Sequence, residues 1–327
     1  MSTTSPPAGT NPVSTDAPLP APARLRHIMN AGCVAMPGAF SALCARAIAR
    51  AGFDACYVSG AATSVSAGVP DVGLLTLEHF CRVIREVADG ASDAATRPFP
   101  VLADADTGFG EAELVRRTVI EYARAGAAGL HIEDQVFPKR CGHLDGKALV
   151  PMDHMIEKIE WASKAARDVS LARDPSSATE RAQAPIICAR TDARGVDGFA
   201  AAVQRARAYC AAGAEMIFPE GLQSEDEFAR FVGELRSAVP SAFVLANMTE
   251  FGKTPMIPLS RFASMGYSCV IYPVTLLRVA MGAVTRALGE LKATGTAAGL
   301  LEQMQTRAQL YDSVGYKPGV PWEFPVR

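Results

Sequence analysis

The sequence predicts an α/β protein, a (β/α)8 barrel of the TIM type followed by an extra C-terminal helix. Two observations point there. Eight short apolar runs alternate with helical patterns along the chain, and one cadence, an amphipathic stretch, a glycine, an apolar run and a polar stop, recurs four times. A third observation separates the barrel from a doubly wound sheet. The stretch "GFGEAE" from Gly108 carries two glycines of a dinucleotide turn and lacks the third.

Residues 1–24, rich in Ser, Thr, Pro and Ala, have almost nothing to bury and read as a disordered tail. The barrel occupies 25–298. Its strands are "GCVAMPG" from Gly32, "AGFDACYVSG" from Ala51, "PFPVLADAD" from Pro98, "AGAAGLHIED" from Ala125, "APIICARTD" from Ala184, "AGAEMIFPEG" from Ala212, "AFVLANMTE" from Ala242 and "MGYSCVIYPV" from Met265. Gly52, Gly126, Gly213 and Gly266 stand where helices end, a place for left-handed backbone. Stretches such as "ELVRRTVIEYARAGA" from Glu113 and "FAAAVQRARAYCAAGA" from Phe199 supply helices between strands. After the eighth strand come two helical stretches, from Leu276 and Leu300, where a barrel needs one. The second, in 299–327, carries Leu300, Leu301, Met304 and Leu310 on an apolar face, to be covered by a neighbouring subunit or by its own barrel. Trp322 and Phe324 anchor the tail.

A formal charge of -2 on 327 residues gives no reason to expect nucleic acid or a membrane surface as partner. No apolar run reaches membrane-spanning length, and no basic-then-apolar leader opens the chain. Eight singly spaced cysteines read as reduced core thiols in a cytoplasmic protein. Cys141 is the exception. It lies between Lys139, Arg140 and His143, a setting that favours a thiolate or a poised thiol.

In a barrel enzyme the chemistry sits at the C-terminal ends of strands. There this chain places Ser59, Gly60, Asp104, Asp106, Glu133, Asp134, Arg190, Asp192, Glu220, Asn247 and Thr249. Asp104, Asp106 and Glu133 are hard oxygen donors that suit Mg2+ or Mn2+, unless they pair with Arg190 or lysines instead. Arg190, Arg278 and Arg307 are candidate clamps for a substrate carboxylate. Metal, cations and thiol together suit a small di- or tricarboxylate reacting through an enolate-like intermediate.

The chain resembles the isocitrate lyase and phosphoenolpyruvate mutase superfamily, and within it the 2-methylisocitrate lyases. The resemblance rests on "MPGAF" at Met36, "YVSG" at Tyr57, "DADTGFG" at Asp104, "GLHIEDQ" at Gly129, "KRCGH" at Lys139, "ARTDA" at Ala189, "FPEG" at Phe218, "ANMTEFG" at Ala246, "YPVTLLR" at Tyr272 and "MQTR" at Met304. It implies a Mg2+-dependent lyase cleaving (2R,3S)-2-methylisocitrate to pyruvate and succinate in the methylcitrate cycle of propionate catabolism. It also implies a homotetramer that exchanges its terminal helix between subunits. Asp104, Asp106 and Glu133 match the metal shell. Ser59, Gly60, Ala61, Asp104, Arg140, Gly142, Arg190, Glu220, Asn247, Thr249, Arg278 and Arg307 match substrate-contacting positions. Cys141 becomes the acid that protonates the leaving succinate carbanion, assisted by Lys139, Arg140 and His143. The base is Tyr57 or Glu220.

Two departures bear on the substrate. Leu144, Asp145 and Gly146 follow the signature histidine where many bacterial methylisocitrate lyases read Arg-Pro-Asn, and Ala61 stands where a further glycine is usual. A lyase for 2,3-dimethylmalate or a related 2-hydroxy diacid, an oxaloacetate hydrolase and an idle scaffold are the alternatives.

Overall fold

The computed structural model describes residues 19–92, 98–140, 146–173, 183–252 and 254–322. All eight expected strands are present. They are β1 (Val34–Pro37), β2 (Cys56–Val58), β3 (Val101–Asp104), β4 (Gly129–Glu133), β5 (Ile186–Thr191), β6 (Met216–Pro219), β7 (Phe243–Asn247) and β8 (Cys269–Tyr272). Every neighbouring pair from β2 round to β8 and on to β1 is parallel. The ring closes between β1 and β2 through a bridge from Gly38 to Tyr57, with the Ala39 amide donating to Tyr57 O at 2.8 Å. Gly38 is required there, because a Cβ would lie 2.1 Å from the backbone oxygen of Pro273.

The helices are α1 (Ala21–Ala31), α2 (Ala42–Arg50), α3 (Gly60–Ser66), α4 (Leu77–Ala91), α5 (Ala112–Ala125), α6 (Met152–Arg173), α7 (Ala193–Val196), α8 (Phe199–Ala211), α9 (Glu225–Ala238), α10 (Leu259–Met265), α11 (Thr275–Thr294) and α12 (Arg307–Ser313). Side chains of Ser41, Ser59, Thr76, Ser224 and Thr306 cap helix starts by accepting backbone amides. The four cadence glycines all take positive φ, from 87° at Gly52 to 110° at Gly213, as helix ends demand.

Strand side chains alternate between two shells. Val58, Ala103, Leu130, Ile132 and Val270 face the helices. Met36, Tyr57, Leu102, Ile186, Cys188, Met216, Phe218, Leu245 and Ile271 fill the barrel, and Leu25 and Met29 of α1 close its N-terminal end. No disulfide occurs among the described cysteines, and burial pushes the thiols of Cys56, Cys188 and Cys269 well up. Among the described residues no helix is long and apolar enough to cross a membrane.

Two expectations are corrected. The tail boundary at residue 24 falls inside α1, which starts at Ala21 and buries Leu25 completely. Residues 1–18 lie outside the described residues. The single helix expected from Leu300 is divided into a 3-10 turn (Ala298–Gln303) and α12, since Met304 is extended and Thr306 opens a new helix with a reciprocal capping box to Gln309. Of the expected apolar face, Leu300 is buried while Leu301, Met304 and Leu310 are exposed. The α12 helix docks on α2 of its own barrel, where Arg50 bonds the side chain of Asp312 at 2.6 Å. Helix α11 adds to the uncovered apolar surface. Leu277 is its one buried residue, and Val279, Met281, Val284, Leu288 and Leu291 are exposed.

Candidate active site

The polar ring at the C-terminal mouth continues the inward register of the strands. On β4, Gly129, His131 and Glu133 share the inner face. On β3 this face carries Leu102 then Asp104, and on β5 Cys188 then Arg190. Parallel pairing sets Asp104 opposite His131 and Glu133 opposite Arg190. Arg190 Nη1 accordingly lies 3.2 Å from Glu133 Oε2, and its Nη2 lies 3.6 Å from Glu220 Oε2. The Phe218 ring supports the guanidinium at 5.1 Å.

Beyond β3 the chain turns through Asp106 at a φ of 46°, which returns its carboxylate toward the ring. Asp104 Oδ1 accepts the Asp106 amide at 2.9 Å, and its Oδ2 accepts the Gly60 amide at 3.0 Å. A Cβ at Gly60 would sit 2.6 Å from Asp104 Oδ2 and 3.4 Å from Asp106 Oδ1, so glycine keeps this approach open. Lys139 is buried between two carboxylates, hydrogen-bonded to Asp71 and 2.7 Å from Asp106 Oδ1. Glu220 accepts the Gly221 amide at 2.8 Å and the Asn247 side-chain amide at 3.1 Å.

Tyr57 stands at the back of the ring, its hydroxyl 2.7 Å from His131 Nε2 and 3.4 Å from Asp104 Oδ2. Burial pushes His131 down to about 4, so it is neutral at pH 7, and its Nδ1 has no partner among the described residues. A proton assigned to Nε2 leaves an unused lone pair rather than an orphaned N–H at Nδ1. His131 then donates to Tyr57, and Tyr57 donates to Asp104. Burial, followed by the charge of Asp104, holds the Tyr57 phenol far above its ordinary value.

Charge in this ring is uneven. Burial and the neighbouring Asp104 raise Asp106 to about 6, and burial raises Glu133 well above its usual range. Burial would raise Asp104 too, but nearby cations, Lys139 and Arg190 among them, outweigh it and hold it down. Lys139 is kept protonated against burial by Glu133, Asp106, Asp104 and Asp71. Among the described residues Glu133 Oε1 and Asn247 Oδ1 are buried without a partner, whereas Asp106 Oδ1 and Glu133 Oε2 meet their ion-pair partners Lys139 and Arg190. Buried oxygens so left call for a ligand, water or cation. Among the described residues no three His, Cys, Asp or Glu side chains converge tightly enough to hold a metal ion by themselves. Asp104, Asp106 and Glu133 nevertheless offer hard carboxylate oxygens of the kind that Mg2+ takes while keeping part of its water shell.

A family model described as phosphoenolpyruvate phosphomutase matches residues 25–292. The chain belongs to the phosphoenolpyruvate phosphomutase family. Similar proteins include the probable 2-methylisocitrate lyase 1 of Corynebacterium glutamicum, 49% identical over 282 residues that cover 86% of this chain and 85% of that protein. The 2-methylisocitrate lyase of Aeropyrum pernix is 44% identical over 290 residues, 86% of this chain and 83% of its own. A crystal structure of 2,3-dimethylmalate lyase superposes with a TM-score of 0.79 at 34% identity, covering 91% of this chain and 92% of the other. The resemblance carried by the sequence motifs is thereby borne out.

In this phosphoenolpyruvate phosphomutase family member the mouth brings together Tyr57, Ser59, Gly60, Asp104, Asp106, Glu133, Lys139, Arg190, Glu220 and Asn247 through the contacts above. Ser59 caps α3 by accepting the Ala62 amide at 3.3 Å, Ala61 is partly buried beside it, and Thr249 is buried just past β7. Arg140 lies at the rim with its backbone held by Gln135. Two expected clamps are placed elsewhere. Arg278 pairs with Glu250 at 2.8 Å, and Arg307 is exposed on α12. Cys141, Gly142, His143, Leu144 and Asp145 lie outside the described residues. Reading the sequence missed His131 and Asp71. The alternation within "GLHIED" aligns His131 with Glu133 and would have exposed it, whereas the loop holding Asp71 carries no such signal.

Proposed function

We propose that this chain is a Mg2+-dependent carbon–carbon lyase that cleaves (2R,3S)-2-methylisocitrate to pyruvate and succinate, the lyase step of a methylcitrate cycle. The observation that carries this reading is the mouth itself, where the carboxylates of Asp104, Asp106 and Glu133 converge with the cations Lys139 and Arg190 and leave Glu133 Oε1 without a partner among the described residues. Relatives named as 2-methylisocitrate lyases over most of both chains support it.

Cleavage removes a proton from the C2 hydroxyl, breaks the C2–C3 bond so that its electron pair stays on C3, and leaves pyruvate with its new carbonyl. The carbanion of succinate then takes a proton. Glu220 is the proposed base, since Tyr57 is committed to His131 and Asp104 and its phenolate is disfavoured. Cys141 is the proposed acid, with Lys139, Arg140 and His143 holding the resulting thiolate. Arg190 offers its guanidinium to a substrate carboxylate, and Asn247 orients Glu220. Ser59, Gly60, Ala61 and Thr249 shape the wall around the substrate. Asp104, Asp106 and Glu133 would hold Mg2+, which when bound would supply positive charge to the incipient pyruvate oxygens.

The uncovered face of α11 supports assembly into a homotetramer by helix exchange, with Arg278 and Arg307 reaching substrate only in that assembly. A second reading is favoured by the structural likeness to 2,3-dimethylmalate lyase. Pyruvate release measured from 2-methylisocitrate and from 2,3-dimethylmalate in parallel decides between them. A kcat/KM higher for methylisocitrate by about tenfold, about 1.4 kcal/mol, establishes the first. The reverse preference assigns the second, and no cleavage of either overturns the lyase reading.

A further inference from the structure

Asp192 lies one residue past β5, and its side chain is fully buried. Its Oδ2 accepts Arg190 Nε at 2.9 Å, and its Oδ1 accepts Arg190 Nη2 at 3.2 Å and Lys147 Nζ at 2.7 Å. The backbone is fixed as well, since the Asp192 amide donates to Asp134 Oδ1 at 2.9 Å. Asp134 is itself held by Thr191 Oγ1 at 2.7 Å and by the Tyr209 hydroxyl at 2.8 Å. Asp192 grips the Nε and Nη2 edge of Arg190, while Nη1 faces Glu133.

This placement determines which edge of the guanidinium faces the mouth. With the Nε and Nη2 edge clamped by two hydrogen bonds, Nη1 is the nitrogen left to face Glu133. Without the clamp Arg190 would remain next to Glu133 and Glu220, and those two carboxylates would draw the whole guanidinium onto themselves. Lys147 comes from the other direction. It belongs to the chain that returns to the barrel after the Lys139–His143 signature, and its Nζ is tied to the same carboxylate that orients the clamp.

We infer that Asp192 is a positioning residue, which orients Arg190 toward the mouth and pins Lys147, so that one buried carboxylate sets both the substrate clamp and the return of the signature segment. The inference rests on the lyase reading for its kinetic part and on geometry alone for the Lys147 anchor.

The test compares the full-length Asp192→Asn, Lys147→Met and Lys147→Arg variants with the wild type. One arm measures kcat and KM for 2-methylisocitrate with Mg2+, and thermal midpoints. The other follows acetylation of Lys147 by N-hydroxysuccinimidyl acetate, read by mass spectrometry against the exposed Lys292, and needs no substrate. Asp192→Asn is expected to lower kcat/KM about 10²-fold, mainly through KM, and to make Lys147 react like Lys292. Lys147→Met is expected to raise KM and Lys147→Arg to restore it. If Asp192→Asn does not fold, the Lys147 pair decides. Unchanged kcat and KM per folded molecule with a lowered melting point would reduce Asp192 to a stability role and overturn the inference. Wild-type acetylation of Lys147 in Asp192→Asn would overturn the anchor. A wild type that cleaves neither methylisocitrate nor 2,3-dimethylmalate sinks the lyase reading, and the acetylation arm still decides the anchor.

Discussion

At its N-terminal end the barrel is closed by Leu25 and Met29 of α1, whereas at its C-terminal end the same inward register carries Asp104, Glu133 and Arg190. The closed end is tied by Arg26, bonded to Glu215 at 2.7 and 2.9 Å and to Ala184 O at 3.0 Å, and by Arg24, 3.6 Å from Asp54. Among the described residues the open end keeps buried oxygens, Glu133 Oε1 and Asn247 Oδ1, without a partner. Eight identical strand directions thus produce one end that is satisfied and one that is not. Buried polar groups cost free energy when unpaired, so the unsatisfied end is where ligand binding can return the most.

The sharpest contrast is expected from Cys141→Ser, which should lower kcat by about 10²- to 10⁴-fold while leaving the melting temperature unchanged. A loss of activity matched by a loss of folded protein would break the division between ends. The mirror experiment is Leu25→Ala. It removes a fully buried side chain far from the mouth and should cost about 2–5 kcal/mol in denaturant unfolding with kcat/KM per folded molecule intact. Gly60→Ala comes next, because its Cβ would press on Asp104 and Asp106. It should cost about 1–3 kcal/mol, seen as a higher Mg2+ concentration for half-maximal activity rather than as lower stability.

The smallest effect belongs to Glu227, whose carboxylate is gripped by Arg194 Nε and Nη2 at 2.9 and 2.7 Å on the outer side of the mouth end. Those hydrogen bonds hold it below its ordinary 4.5. A depressed acid contributes stability above its unfolded value and loses it as pH falls, so the contribution is complete above about pH 4.5 and fades below. Glu227→Gln should flatten the acid limb of a melting-temperature profile and leave neutral activity alone. An unchanged acid limb would mean that this pair is spectator to both ends.

All eight strands were legible because glycine stops and apolar runs are local signals, each contained within about ten residues. The mouth carboxylates were legible for the same reason, since "DAD" and "IED" end runs that read as strands. The Lys139–Asp71 and Tyr57–His131 pairs were not, since they join residues 68 and 74 positions apart. The break before α12 was hidden by continuous apolar spacing, which Thr306 and Gln309 override by capping. Arg278 and Arg307 follow sites that fit the motif, yet one chain alone sends them to Glu250 and to solvent.

The Arg26–Glu215 tie spans 189 positions, and β1 finds one of its two neighbours only in β8. During synthesis at about 5–20 residues per second, α1 therefore leaves the ribosome roughly 10 to 40 s before Glu215 exists to receive it. The first helix among the described residues is therefore among the last to dock, and Leu25 and Met29 spend that interval before the barrel floor that buries them is complete.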